Sequence, residues 1–142
     1  PYLHAARAMG ARIVAVPAQP GFAFPVEAVV RAITPNTRLV YVNNPNNPTG
    51  QPVAQDAIRR VVEAAGHAVV FVDEAYHDFM PANFLSEAQA CPNVIIGRTF
   101  SKAFGLAGIR VGVLVASPAV LAPMRAVMPL FNVNVVAVAA LR

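Results

Sequence analysis

An apolar run of five residues, Ala68–Val72, constrains the fold of this chain more than any other feature. Short continuous apolar runs are typical of strands buried on both faces, and such strands belong to parallel sheets that helices cover on both sides. Arg38–Val42 reads as a second short strand, and Val53–Ala65 reads as a helix between the two. This order of strand, helix and strand predicts a βαβ unit in an α/β sheet.

The rest of the chain continues the alternation of helices and strands. Gly10 is a typical residue after a helix, Pro25 is typical of a helix start, and Ser117-Pro118 is typical of an N-cap and first helical residue. The remaining predicted elements are helix Tyr2–Met9, strand Arg12–Val16, helix Val26–Ile33, strands Asn93–Gly97 and Val111–Ala116, and helix Ser117–Val127. One α/β domain of 142 residues is the simplest organisation.

The composition is unusual for an isolated soluble domain. Apolar residues make up 56% of the chain and charged residues 13%, where roughly 25% charged is typical. So little charge predicts exposed apolar surface, which usually marks a missing partner. We therefore expect a fragment of a longer chain or a subunit of an obligate oligomer. The sequence begins at Pro1 and shows neither a start Met nor a signal-peptide pattern, as expected for a chain that starts partway along a longer protein.

Several classes of protein are disfavoured. The uncharged run Ala126–Leu141 is shorter than the ~20 apolar residues that a membrane-spanning helix needs. Cys91 is the only cysteine, so no intrachain disulfide can form, and a cytoplasmic location is the default. The net charge is +4, but the arginines are scattered, so no nucleic-acid partner is predicted.

One lysine stands out among the basic residues. Ten of the eleven basic residues are arginine, and the single lysine is Lys102. A lysine amine can lose its proton and act as a nucleophile or a base, whereas arginine is effectively always protonated. The position of Lys102 in a polar loop therefore points to chemistry.

Three polar segments begin where predicted strands end, which is where open α/β sheets bind ligands. They are Asn43–Gly50, Asp73–Tyr76 and Thr99–Lys102. Each has an ordinary explanation when taken alone. An Asn/Pro/Gly run is usually a turn, and an acidic pair after an apolar strand also holds magnesium in nucleotide hydrolases.

Taken together, in order and spacing, these segments resemble the core of the fold-type I pyridoxal-phosphate enzymes. The chain is similar to the class I/II aminotransferases and, within them, to the histidinol-phosphate aminotransferase-like branch. The motifs are Asn-Asn-Pro-Asn-Asn-Pro-Thr-Gly at 43–50, Val-Asp-Glu-Ala-Tyr at 72–76, Thr-Phe-Ser-Lys-Ala-Phe-Gly-Leu-Ala-Gly-Ile-Arg-Val-Gly at 99–112 and Phe-Asn-Val-Asn at 131–134.

The resemblance implies a three-layer α/β/α fold with a mixed, mainly parallel sheet, in which strand Val111–Ala116 runs antiparallel. It also implies that residues 1–142 are the central part of the cofactor-binding large domain. The N-terminal segment, with further phosphate contacts and an aromatic ring stacked on the cofactor, would lie outside this chain. The small C-terminal domain, with an arginine that binds the substrate anion, would also lie outside it.

The resemblance further implies a pyridoxal 5'-phosphate site with Lys102 as the Schiff-base lysine and proton shuttle. Asp73 would face the pyridine nitrogen and keep it protonated, so that the ring acts as an electron sink. Tyr76 and Asn47 would hold the 3' oxygen of the ring.

The phosphate group of the cofactor would bind to hydroxyls and to one arginine. The residues implied are Thr99, Ser101 and Arg110, since an arginine offers a charged fork of donors. Gly105 and Gly108 would let the loop between Lys102 and Arg110 turn back. No metal site is predicted.

Five other polar residues are weaker candidates. His77 is expected to have a supporting or surface role, and Asp78 to be solvated. Glu74 is one residue from Asp73, so on an extended strand exit it faces away from the same ligand. Asn132 and Asn134 could contact substrate or a partner subunit, and neither role is assigned.

The resemblance implies reversible amino transfer between an amino acid or amino-alcohol phosphate and a 2-oxo acid, in a homodimer whose subunits share active-site residues. Histidinol phosphate with 2-oxoglutarate is the leading substrate pair, and aromatic amino acids remain open. The alternatives are a related decarboxylase, a non-catalytic sensor domain and an inactive fragment. A nucleotide hydrolase is disfavoured because the sequence contains no G-x-x-x-x-G-K-[ST] loop, and Lys102 follows Ser101 and not a glycine. Because parts are missing, we expect the 142-residue chain alone to transaminate poorly.

Overall fold

A computed structural model describes residues 2–141 and contains one four-stranded sheet with the strand order β1-β2-β3-β4. The strands are β1 (Leu39–Asn43), β2 (Val69–Asp73), β3 (Val94–Thr99) and β4 (Gly112–Ala116). The pairs β1–β2 and β2–β3 are parallel, and the pair β3–β4 is antiparallel. The prediction of a mixed, mainly parallel sheet with an antiparallel last strand is confirmed.

Six α-helices accompany the sheet in the described part of the chain. They are α1 (Tyr2–Ala8), α2 (Val26–Ala32), α3 (Gln55–Ala64), α4 (Leu85–Ala88), α5 (Pro118–Val127) and α6 (Val135–Ala140). The helices and strands that the sequence predicts end within two residues of these bounds, except for the strand predicted at residues 12–16. The sequence pattern missed α4 and α6, which span only four and six residues.

The main core lies between one face of the sheet and helices α2, α3 and α4. Val70, Val72 and Ile96 are fully buried on this face, against Ile58 and Val61 of α3. The other face is more open, since Phe71 in β2 is only partly buried. The run Ala68–Val72 was predicted to be buried on both faces, and this is wrong for the second face. There the ring of Tyr2 in α1 lies 5.7 Å from that of Phe71, and Tyr41 and Asp73 leave the face partly polar.

The predicted strand Arg12–Val16 is also wrong, because residues 12–16 have no regular secondary structure. A strand is stable only when a neighbour accepts and donates its backbone hydrogen bonds. In residues 2–141, all four strands pair only with one another, and the segment 12–16 lies largely exposed. The segment therefore pairs with neither edge strand of the sheet, β1 or β4, and its apolar alternation does not make it a strand.

None of the helices between residues 2 and 141 combines the length and the hydropathy needed to span a bilayer.

Gly112 at the start of β4 allows the backbone of β3 to approach closely. A Cβ atom at this position would lie 2.6 Å from the carbonyl oxygen of Arg98. We expect Gly112→Ala to lower the free energy of unfolding by about 1–3 kcal/mol, because the two strands must separate to admit the methyl group. Urea denaturation followed by circular dichroism measures this difference.

Gly108→Ala is the matched control for this substitution. A Cβ atom at Gly108 has no neighbour within 4 Å, so its effect should stay within about 0.5 kcal/mol. Equal stability of the two variants would contradict the close approach of β3 and β4 at Gly112.

Candidate functional site

The three polar segments meet at one edge of the sheet because the strands before them end in register. Asn43 of β1 pairs with Asp73 of β2, and Asp73 pairs with Gly97 of β3. The chain therefore leaves the three parallel strands side by side. This is the carboxyl edge, where open α/β sheets bind ligands.

Asn47, Tyr76 and Lys102 come together at this edge from three different segments. The Asn47 side-chain nitrogen Nδ2 donates a hydrogen bond of 3.2 Å to the hydroxyl of Tyr76. The Lys102 amine nitrogen Nζ lies 5.0 Å from the centroid of the Tyr76 ring, which is cation–π distance. Lys102 is exposed and forms no ion pair within residues 2–141. A primary amine that is not bound to a carboxylate thus stands beside a phenol and an amide.

The loop that carries Asn47 is folded tightly onto itself. The amide of Asn46 donates to the carbonyl of Gln51 at 2.8 Å, and the amide of Gly50 donates to the carbonyl of Asn46 at 2.7 Å. Gly50 has φ +70°, a left-handed conformation that favours glycine. These bonds fix the position from which Asn47 reaches Tyr76.

Asp73 is the last residue of β2, and both of its carboxylate oxygens are hydrogen-bonded. The hydroxyl of Tyr41 donates to Oδ2 at 2.6 Å, and the backbone amide of Ala75 donates to Oδ1 at 3.0 Å. The carboxylate lines a shallow cavity of about 160 Å³ on the open face of the sheet. Tyr2, Phe71, Gly97 and Thr99 are among the other residues that line it. Each oxygen keeps lone-pair capacity for a further donor.

The segment that carries Lys102 is a closed loop between β3 and β4. Thr99 is the last residue of β3, and its hydroxyl accepts a hydrogen bond of 3.1 Å from the amide of Ser101. Gly105 has φ +67°, and its amide donates to the carbonyl of Lys102 at 3.0 Å. Arg110 also has a positive φ, +58°, and its guanidinium donates to the carbonyl of Ala107 at 2.8 Å. Thr99 and Ser101 are thus brought together, whereas no hydrogen bond within residues 2–141 joins the Arg110 side chain to either.

Glu74 lies on the opposite side of the sheet from Asp73, as the alternation of side chains predicts. Its side chain is fully buried, and its oxygen Oε2 accepts bonds of 3.0 Å and 2.8 Å from Nε and Nη2 of Arg98. The other oxygen, Oε1, accepts the amide of Phe84 at 2.5 Å. The pair therefore joins the ends of β2 and β3 on the helix-covered side, next to Asp73 and Thr99 in sequence.

The weaker candidates fall outside this group. His77 is partly buried, with Nδ1 3.2 Å from an oxygen of Asp78, and Asp78 is exposed as expected. Asn134 caps α6, since its side-chain oxygen accepts from the amide of Ala137 at 2.9 Å, and its nitrogen donates to the carbonyl of Ile109 at 2.8 Å. Asn132 is exposed.

A second depression, of about 370 Å³, lies at the opposite edge of the sheet, where Arg38 and His67 precede β1 and β2. The side chains of Arg38 and His67 are bound to the carbonyls of Pro35 and Thr34 at 3.0 Å and 2.9 Å. Because these polar groups already have partners and the carboxyl ends of the strands are distant, this depression is the poorer candidate.

Sequence reasoning missed Tyr41 and Arg98. The contact of Tyr41 with Asp73 spans 32 residues, and that of Arg98 with Glu74 spans 24 residues. The parallel pairing of β1 with β2 would predict the contact of Tyr41 with Asp73. Tyr41 pairs with the residue two positions before Asp73, so the two side chains lie on the same face of the sheet. That relation becomes readable only once the register of the two strands is known.

Comparison with known proteins identifies the family of the chain. The family model for "Aminotransferase class I and II" matches residues 1–142. Histidinol-phosphate aminotransferase 2 of Ralstonia nicotianae is 43% identical over an alignment 144 residues long that covers 98% of this chain. An aromatic amino acid aminotransferase of Nocardia farcinica is 42% identical over 137 residues, which cover 92% of this chain. The chain spans 38% of the length of each of these two relatives.

A solved structure also matches. It is the histidinol-phosphate aminotransferase of Sinorhizobium meliloti in complex with pyridoxal-5'-phosphate, which superimposes with a TM-score of 0.89 at 30% sequence identity. The match covers 98% of this chain and 39% of that one. With the family model matched from end to end, this chain belongs to the class I and II aminotransferases.

Proposed function

We propose that this chain is the central part of the cofactor-binding large domain of an aminotransferase that uses pyridoxal 5'-phosphate. The longer protein to which the chain would belong is called the full-length protein. Its N-terminal segment and its small C-terminal domain would lie outside residues 1–142. The observation that carries the proposal is the meeting of Lys102, Tyr76 and Asn47 at the carboxyl edge of the sheet, where Asp73 is the last residue of β2.

The donors and acceptors at the site fit this cofactor chemically. A lysine amine can bond to an aldehyde, and Lys102 is an exposed amine. The Tyr76 hydroxyl and the Asn47 amide, 3.2 Å apart, are donors for a phenolate oxygen. Asp73 is an acceptor for a protonated ring nitrogen and keeps free lone pairs. An amine, two donors and an acceptor are the groups that a substituted pyridinium aldehyde requires.

When bound, the cofactor supplies an electron sink for the electron pair left at the substrate carbon. Lys102 would hold the cofactor covalently, and its amine, once freed, would accept and return a proton at the substrate α-carbon. Asp73 would hold a proton on the ring nitrogen by opposite charge. Tyr76 and Asn47 would donate to the ring oxygen.

Thr99, Ser101 and Arg110 are proposed to hold the phosphate group. The Thr99 hydroxyl and the Ser101 amide lie together at the end of β3. The Arg110 guanidinium, exposed and bonded only to a backbone carbonyl, carries no carboxylate partner within residues 2–141 that would compete for it. Charge-assisted bonds of this kind are roughly twice as strong as neutral ones.

The proposed reaction is reversible amino transfer to a 2-oxo acid, with histidinol phosphate as the favoured amino donor. The names of the Ralstonia and Sinorhizobium relatives support this donor. An aromatic amino acid is the second candidate, because the Nocardia relative carries that name at nearly the same identity. A related decarboxylase and a non-catalytic sensor domain remain alternatives, since the residues that read the substrate would lie mostly outside residues 1–142.

We also propose that the full-length protein is a cytoplasmic homodimer. Exposed apolar side chains in the last third of the chain support the proposal that a partner subunit covers this surface. Leu130 is 94% exposed and Phe131 is 95% exposed. Surfaces of this kind are usually covered in an assembly.

Reduction with borohydride tests the covalent attachment. We expect that incubating the full-length protein with pyridoxal 5'-phosphate and then reducing it will leave the phosphopyridoxyl group on Lys102, located by peptide mass spectrometry. Within residues 1–142 Lys102 is the only ε-amino group, so a labelled lysine in any peptide from this part of the full-length protein can only be Lys102.

An amino-transfer assay separates the whole protein from this part of it. The full-length protein should transfer the amino group of histidinol phosphate to 2-oxoglutarate, whereas the 142-residue chain should show little turnover. An adduct at another residue of the full-length protein would refute the proposed role of Lys102. Robust turnover by the short chain would refute the division of the site between this chain and the missing parts.

A further inference from the structure

Tyr41 occupies a position that the proposed chemistry leaves without a role. Its hydroxyl lies 2.6 Å from Oδ2 of Asp73, within the range of a short charge-assisted hydrogen bond. In the parallel ladder Tyr41 pairs with Phe71, while Asn43 pairs with Asp73. Tyr41 and Asp73 therefore project from the same face, diagonally across two strands.

The phenol ring of Tyr41 is held in place by two other rings. It stacks on Phe71 with a centroid distance of 5.8 Å and an interplanar angle of 16°, and its centroid is 4.7 Å from that of Tyr2. Gly97 leaves the space that the Phe71 ring fills, because a Cβ atom there would lie 2.6 Å from the ring. The packing of these rings therefore fixes the direction in which the Tyr41 hydroxyl points.

The proton stays on Tyr41 in this arrangement. Burial, followed by the hydrogen bond and the negative charge of Asp73, raises the pKa of the Tyr41 phenol well above its ordinary value of 10. Burial and the charge of Asp73 also raise the pKa of Tyr2. Tyr41 therefore donates the proton of this hydrogen bond, and Asp73 accepts it.

We infer that Tyr41 is a positioning residue, which holds the Asp73 carboxylate in one orientation at the edge where the proposed cofactor binds. The amide of Ala75 fixes the other carboxylate oxygen at 3.0 Å. With both oxygens fixed, the remaining lone pairs point in set directions before any ligand arrives. The inference rests on the proposed function, since it assumes that Asp73 is the acceptor for the cofactor ring.

Tyr41→Phe removes only the hydroxyl and keeps the stacked ring. In the full-length protein we expect this variant to raise the Kd for pyridoxal 5'-phosphate about tenfold, which corresponds to one hydrogen bond to a charged group. The ¹⁵N signal of ring-labelled cofactor should shift, because the carboxylate no longer has one fixed orientation. Thr37→Val is the matched control, since it removes a hydroxyl that accepts a hydrogen bond of 2.9 Å from the amide of Thr34, before β1 and away from the carboxyl edge of the sheet, and it should change the Kd less than about twofold.

The possible outcomes separate this inference from the proposed function. If Tyr41→Phe leaves the Kd and the ¹⁵N signal unchanged while Lys102 is still labelled, the inference fails and the proposed function stands. If Thr37→Val raises the Kd as much as Tyr41→Phe does, the effect is not specific to the bond with Asp73, and the inference again fails. If Lys102 is not labelled in the parent protein, the proposed function fails first.

One measurement tests the bond between Tyr41 and Asp73 without a bound cofactor. With ¹³C-labelled tyrosine rings, the Tyr41 phenol of the cofactor-free protein should titrate well above pH 10, as its raised pKa requires. The signal is assigned as the one missing from Tyr41→Phe or Tyr41→Leu. Titration at the ordinary tyrosine value would show that the bond to Asp73 is absent, and it would overturn the inference.

Discussion

Replacing Lys102 with arginine in the full-length protein should abolish the borohydride-stable adduct and nearly all amino transfer. Arginine keeps the positive charge beside Tyr76, but it does not give up a proton under any accessible condition. It can therefore neither bond to an aldehyde nor carry a proton to and from the substrate. The loss of proton transfer alone should lower kcat by about 10²–10⁴-fold, and the loss of covalent attachment adds to this. Single-turnover kinetics and peptide mapping measure the two effects.

A second lysine elsewhere distinguishes the site from the mere presence of an amine. Arg125 lies exposed on α5, so Arg125→Lys adds an accessible lysine away from the carboxyl edge of the sheet. This variant should behave as the parent does and carry its adduct on Lys102. The double variant Lys102→Arg/Arg125→Lys should carry no adduct. If the adduct moved to position 125 in equal yield, labelling would follow accessibility alone and Lys102 would have no special chemistry.

The strands of the sheet could be predicted because short apolar runs have few ways to hide their side chains. Each parallel strand lies one or two residues further along the chain than its predicted bounds, so that Asp73 and Thr99 are the last residues of β2 and β3 and not the first of a loop. A polar residue at the end of a strand still pairs through its backbone, as Asn43 and Asp73 do. Side-chain polarity therefore ends a predicted strand too early.

The failure at Arg12–Val16 has a different cause. Local pattern shows that a segment could be a strand, but only a neighbouring strand makes it one. The same limit hid the partners of the site residues. Asp73 was identified from a motif, whereas Tyr41 and Arg98 act through contacts between strands that are distant in sequence. A motif shows which residues occur together in the sequence, but it does not show which side chains on neighbouring strands hold them in position.

Truncating Arg98 to alanine should destabilise the chain by about 3–5 kcal/mol, the usual cost of leaving a buried charge without its partner. The Glu74 side chain is 0% exposed and the Arg98 side chain is 19% exposed, so Glu74 has little access to water once Arg98 is lost. Urea denaturation measures the change in the free energy of unfolding. The ends of β2 and β3, which present Asp73 and Thr99, should loosen together.

Arg60→Ala is the matched control, because Arg60 pairs with Glu27 at the surface, where their side chains are 49% and 54% exposed. Its loss should cost no more than about 1 kcal/mol. The double variant Glu74→Gln/Arg98→Met should recover most of the stability lost in Arg98→Ala, because it removes the charge and keeps an acceptor for the amide of Phe84. The double variant can also be tested in the full-length protein. If it recovered stability but bound the cofactor more weakly than the parent, the ion pair would be needed to align the two strand ends. If Arg98→Ala cost no more than Arg60→Ala, Glu74 would have to reach water through some opening of the core, and the pair could not be what holds the strand ends together.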